Sequence, residues 1–180
     1  IYILILSLSP TAAAQESIRW KKPVKPADDA AAIRPRRNAL RRHFVIEFAL
    51  PPNAQDLRQL DSRHARIAAV LSDRAFSISA PDSFAAEGLN LTWIGSMSPS
   101  SKISPSLKRT RPTPKPYVVV EFYPDVEGGV ARSVALDSGF RIVDNPDLLP
   151  NNLLVQGTSA SIAALSNGDE VDYLFPASLD

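Results

Sequence analysis

Few side chains in this chain can do chemistry. It has two histidines, His43 and His64, and no cysteine, which excludes a thiol nucleophile, a disulfide framework and a cysteine-bound metal. Acyl transfer without a thiol needs a serine whose proton is taken by a histidine that a third group orients. Val134-Ala135-Leu136-Asp137-Ser138-Gly139 and Gly157-Thr158-Ser159-Ala160 supply a carboxylate and serines. No His-Gly pair lies between or after them and both histidines lie far upstream, so a triad is not expected. Asp137 to Gly139 is instead expected to end a helix, and Ser159 to cap one.

The two histidines have no second ligand at metal-binding spacing and no H-E-x-x-H occurs, so each is expected to be a surface or half-buried structural residue. Glu47 and Glu121 recur in matched surroundings and invite a general-acid role, but alternation along a strand places such residues on the solvent face. Both glycine-rich phosphate motifs are missing. The expectation is a non-enzymatic chain with no catalytic, metal or cofactor-binding residues.

The elements that carry these residues come twice. Phe44-Val45-Ile46-Glu47-Phe48 is followed about 74 residues later by Val118-Val119-Val120-Glu121-Phe122. In the same order, Arg66-Ile67 matches Arg141-Ile142, Phe76-Ser77-Ile78 matches Leu153-Leu154-Val155, and Leu91-Thr92-Trp93-Ile94 matches Val171-Asp172-Tyr173-Leu174. Each copy has the order strand, helix, strand, strand, helix, strand. In the first, Pro51-Pro52 stops a strand and Asn53 caps a helix with Asp56 three residues on. A hairpin follows, then a short helix opened by Pro81-Asp82 and ended by Gly88, then a strand carrying Trp93. In the second, a helix with Val130, Val134, Ala131 and Ala135 inward ends at Gly139, and another begins at Ser159 with Ile162 and Leu165 inward. Trp93 and Phe175 are expected to anchor the two cores.

The fold class expected is α+β: two tandem ferredoxin-like βαββαβ modules, each an antiparallel sheet with one face covered by two helices. The first spans residues 42–98 and the second 117–178. Residues 99–116, rich in Pro, Ser and Lys/Arg, are expected to be a mobile or extended linker. Residues 1–14 pair a short apolar run with Ala12-Ala13-Ala14, as in a truncated signal peptide, and 15–41 have the composition of a disordered linker. The localisation expected is secreted or cell envelope, with no stable membrane span in the mature form. A net charge of +1, and strands carrying Val, Ile, Leu and Glu where an RNA-binding sheet presents aromatics, argue against a nucleic-acid partner.

The exported amino end, the split βαβ order and the Phe-Val-Ile-Glu-Phe and Val-Val-Val-Glu-Phe strands resemble the prosegments of secreted subtilisin-like proteases, the inhibitor I9-type propeptides. Lys102-Ile103-Ser104-Pro105, Asn145-Pro146-Asp147-Leu148, Leu153-Leu154-Val155-Gln156-Gly157 and the ending Asp169 to Ser178 are similar to the paired amino-terminal domains of large exported bacterial peptidase precursors. The Asp137 and Ser159 strings resemble the aspartate and serine blocks of subtilisin-like proteases, without their histidine block. The prosegment resemblance implies an intramolecular chaperone and inhibitor whose partner is a cognate peptidase domain downstream in the same chain. The contacts it implies are Tyr173, Leu174, Phe175, Pro176, Ala177 and Ser178. The competing expectation is an exported protein-binding, adhesion or scaffold module with no link to proteolysis.

Overall fold

The computed structural model describes residues 41–109 and 114–177. The expected signal peptide, all of the amino-terminal linker but Arg41, and Ser178 lie outside the described residues. The fold is α+β, with two four-stranded antiparallel sheets and four helices among the described residues. The first half contains β1 (Arg41–Phe48), α1 (Ala54–Ser62), β2 (Arg66–Val70), β3 (Ala75–Pro81) and β4 (Leu91–Gly95), in sheet order β2-β3-β1-β4. A short α2 (Pro105–Arg109) connects it to β5 (Tyr117–Phe122), α3 (Gly128–Asp137), β6 (Arg141–Val143), β7 (Asn152–Gln156), α4 (Ser159–Ser166) and β8 (Val171–Pro176), in order β6-β7-β5-β8.

The duplication extends to individual ladder pairs. Ile46 faces Phe76 and Ile94, as Val120 faces Leu153 and Leu174. Glu47 pairs with Trp93 as Glu121 pairs with Tyr173, and the register shifts after each glutamate. Alternation then sends Ile46 and Phe48 into one core and Val118, Val120 and Phe122 into another. Around the first pair pack Leu60 of α1 with Phe76 and Ile78; around the second pack Ala131, Val134 and Ala135 of α3 with Leu165 of α4.

Local signals act where expected at several ends. The Asn53 side chain accepts from the Gln55 and Asp56 N–H groups while Asp56 accepts from the Asn53 N–H at 2.9 Å, a reciprocal cap. Gly139 ends α3 at φ +83, a left-handed conformation open to glycine at little cost. The cap of α4 is Thr158, whose hydroxyl accepts from the Ser161 N–H, one residue earlier than expected.

Other expectations are corrected. Residues 82–88 form turns and no helix: the connection between β3 and β4 is short, and Phe84 is the one side chain there that packs on the core. Ile94 is therefore 36 % exposed, whereas Leu174, its counterpart under α4, is fully buried. Trp93 and Phe175 are half-buried, because the pleat points them away from the cores. The Trp93 ring lies over Gly95, where a Cβ would approach it to 2.5 Å. Val130 faces outward and α3 packs through Ala131, Val134 and Ala135.

The first part of the segment expected to be a mobile linker is packed. Ser101, Lys102 and Ser104 are buried, as is Met97 just before the segment, and Ile103 pairs in parallel with Leu174. Leu174 donates its N–H to the Lys102 carbonyl and accepts the Ser104 N–H, both at 2.8 Å. An edge strand leaves backbone groups unpaired, and Ile103 and Leu107, four residues apart, bring apolar area to the same place. No described helix is long and apolar enough to cross a membrane.

Candidate functional site

Among the described residues, a dense polar cluster lies where the second half meets the outer face of the first sheet. In β1, Ile46 and Phe48 point to the core, so His43 and Val45 point the other way. Across the ladder, His43 faces Ser79, and Val45 faces Ser77 and Gly95. These small neighbours leave a floor that Tyr123 covers: its ring stacks on the His43 imidazole with centroids 3.8 Å apart and planes 6° apart. His43, Val45, Ser77, Ser79 and Tyr123 are all buried.

Two carboxylates grip the imidazole from opposite sides. His43 Nδ1 lies 2.9 Å from Asp169 Oδ2 and Nε2 lies 2.9 Å from Asp125 Oδ1. The His43 backbone N–H also donates to Asp169. Asp125 follows the end of β5 and Asp169 precedes β8, and antiparallel pairing of Phe122 with Val171 brings these two loops together. The Ser79 hydroxyl donates to Asp125 Oδ2, and Arg41 Nε donates to Ser79 Oγ at 2.8 Å while lying 3.7 Å from the same carboxylate oxygen. Beneath Asp169, the buried Lys102 ammonium donates to the Gly168 carbonyl at 2.6 Å.

Burial opposes charge on the imidazole, but hydrogen bonds to Asp125 and Asp169 and the charges of both outweigh it, raising the His43 pKa from 6.5 to about 8. Asp125 has the converse balance: partial burial pushes its pKa up, and hydrogen bonds from His43 and Ser79 bring it down to about 2. Burial lowers the Lys102 pKa to about 8 despite Asp169, Asp172 and Glu170 nearby. Burial raises that of Tyr123 above its ordinary value, with Asp172, Asp169 and Asp125 adding to the effect.

Serine, histidine and aspartate thus meet, but not in the order that acyl transfer needs. The Ser79 hydroxyl is bonded to a carboxylate and not to the imidazole, and both ring nitrogens are occupied, leaving no lone pair to act as base. The carboxylates stand on opposite sides of the ring and do not converge on a common ion. No cluster of three or more His, Asp or Glu suited to a metal occurs among the described residues. What the arrangement does is join β1 and β3 of the first sheet to two loops of the second half.

His43, expected at the surface or half-buried, is therefore buried at this contact. The repeat could not reveal it: continuing the alignment places Ala49 opposite Tyr123, Pro51 opposite Asp125 and Leu89 opposite Asp169. Glu47 forms an exposed ion pair with Arg74 at 3.3 Å, and Glu121 lies half-buried at the matching position. Asp137 and Ser138 close α3, where the Ser138 hydroxyl donates to the Val134 carbonyl. His64 is exposed at the end of α1 with φ 57.

The expected contact residues share a strand but not a face. Tyr173, Leu174, Phe175 and Pro176 belong to β8, and the Ala177 N–H donates to the Tyr117 carbonyl. Leu174 is fully buried under the helices and Tyr173 is buried on the opposite face, whereas Phe175, Pro176 and Ala177 are half-buried. Tyr173 and Phe175 lie on the opposite face with their rings 6.3 Å apart. Val119, Leu154 and Tyr117 join them there, Val119 pairing with Leu154 on one side and Phe175 on the other. Comparison with known proteins finds no family model and no curated protein that match the chain.

Proposed function

We propose that this chain is the non-catalytic, prosegment-like region of an exported peptidase, acting as intramolecular chaperone and inhibitor. On this reading each half is a ferredoxin-like module, the first having lost its second helix and the second retaining both. The observation that carries it is the outer face of the second sheet. Tyr117, Val119, Leu154, Tyr173 and Phe175 form an apolar stripe in which Val119 and Tyr173 are buried and Tyr117, Leu154 and Phe175 are half-buried, while α3 and α4 pack on the other face. An apolar face of this kind, beside a strand whose chain runs on past Pro176, suits a partner with a complementary surface and a cleft. A module that binds only the folded peptidase favours that state by mass action. The contact set is then Phe175, Pro176, Ala177 and Ser178, with Leu174 and the buried Tyr173 holding the strand from its two faces.

The test is the peptidase domain encoded in the same reading frame, refolded and assayed with and without residues 15–180 supplied in trans. Inhibition and faster recovery of activity are expected, both lost in Phe175→Ser. A reading frame without a peptidase domain, or a peptidase indifferent to the added chain, overturns the proposal and favours an exported binding or scaffold module using the same face.

A further inference from the structure

We propose that the His43 cluster is a proton-operated latch that holds the two halves together while the imidazole is doubly protonated and releases them when it loses a proton. The inference concerns the contact between the halves and does not depend on the prosegment reading.

It rests on a count of donors. Asp125 and Asp169 each present an oxygen 2.9 Å from a ring nitrogen. An imidazolium has two N–H donors and satisfies both; a neutral imidazole has one, so its bare nitrogen must face a carboxylate oxygen across the same distance. The Tyr123 stack and the Asp169 contact with the His43 N–H prevent the ring from turning away without opening the contact. Buried polar groups that lose a partner cost far more than exposed ones.

The surrounding groups cannot take over. Arg41 is committed to Ser79 and the His64 carbonyl and touches only the Ser79 side of Asp125. Ser79 already donates to that carboxylate. Tyr123 stays neutral, with its pKa raised by burial, and Lys102 is tied to Gly168 beyond Asp169, amid Glu170 and Asp172. Loss of one proton leaves Asp125 and Asp169 sharing a single ring N–H. Residues 96–101 keep the halves joined as they part, while Ile103 and Ser104 remain on β8. Opening uncovers Val45, Ser77 and Ser79 on the first sheet and Tyr123 on the second half.

The chain has no cysteine, so a pair of labelled cysteines can report the separation without competing thiols. Val70→Cys and Leu149→Cys sit at exposed positions in opposite halves. In the full chain, the distance between labels is expected to lengthen as pH rises, with a midpoint near 8. His43→Gln, which supplies one donor and one acceptor, is expected to be open throughout. Asp125→Asn is expected to stay closed at alkaline pH: its amide donates to the bare Nε2, its carbonyl still accepts from Ser79, and Nδ1–H keeps Asp169. Asp125→Asn is decisive if His43→Gln does not fold. An unchanged distance between pH 6 and 9, or Asp125→Asn opening at the wild-type pH, overturns the latch. A transition that survives in folded His43→Gln belongs to Lys102 and overturns it as well.

Discussion

The outer faces of the two sheets have the same backbone and different neighbours. On the first, Val45 is flanked by Ser77 and Gly95 and His43 by Ser79, and loops of the second half cover them. On the second, Val119 is flanked by Leu154 and Phe175; no described helix packs there, yet Val119 and Tyr173 are buried and Leu154 and Phe175 half-buried. Small polar neighbours make a floor that admits an inserted ring and charged loops; large apolar ones make a raised stripe whose half-buried members meet water or another surface. Ladder hydrogen bonds join backbone atoms, so duplication preserves strand pairing whatever the side chains do. The side chains decide what each face meets.

The helix-covered faces differ in a complementary way. α4 and the Ile103 to Leu107 segment seal the second core over Leu174, whereas turns leave Ile94 partly exposed above the first. The first half thus lacks cover over one part of its core side and takes cover from the second half on its outer side. Its stability is coupled to the contact at His43.

The largest expected effect tests the similarity. Phe48→Ala and Phe122→Ala remove matched, fully buried rings, and each is expected to cost about 3–5 kcal/mol in denaturant unfolding. A loss confined to one of them breaks the equivalence of the two cores. Next comes pH, which separates the halves. The folded-state pKa of His43, about 8, lies above the ordinary 6.5. Its stabilisation is therefore fully present below 6.5 and lost as pH rises through 8, amounting to about 2 kcal/mol. Lys102 acts in the opposite sense: its pKa is lowered from 10.5 to about 8, so a cost of burying its charge is present below 8 and fades above it. Unfolding free energies measured from pH 6 to 10 are expected to fall and then recover in part, with the fall missing in His43→Gln. The smallest effect concerns helix starts. Asn53→Ala is expected to cost about 1 kcal/mol because the reciprocal cap is lost. Glu127→Ala, at a cap with no side-chain hydrogen bond, is expected to change melting within about 0.5 kcal/mol.

Most of the order of elements was legible in the residues, α2 in the expected linker and the turns at 82–88 excepted. Apolar alternation placed the strands, Pro51-Pro52 and Asn53 marked the end of β1 and the start of α1, and the aligned strings occupy equivalent places in the two ladders. Each of these signals is local or repeats at a fixed offset. The turns at 82–88 escaped because a capping pattern cannot say whether a segment is long enough to lie across a core.

The candidate site was closed to such signals. His43 meets Asp125 across 82 residues and Asp169 across 126, and neither acid has an acidic counterpart in the first copy. Nothing in the neighbourhood of His43 along the chain names its two acidic partners. By itself the sequence determined which residues alternate, where helices start and that the plan is duplicated, because those follow from backbone geometry and nearby side chains. Only the tertiary structure decided that the segment after β4 lies along β8 and that one histidine is enclosed between two carboxylates. Both depend on which edge and which face remained uncovered once the two sheets had formed.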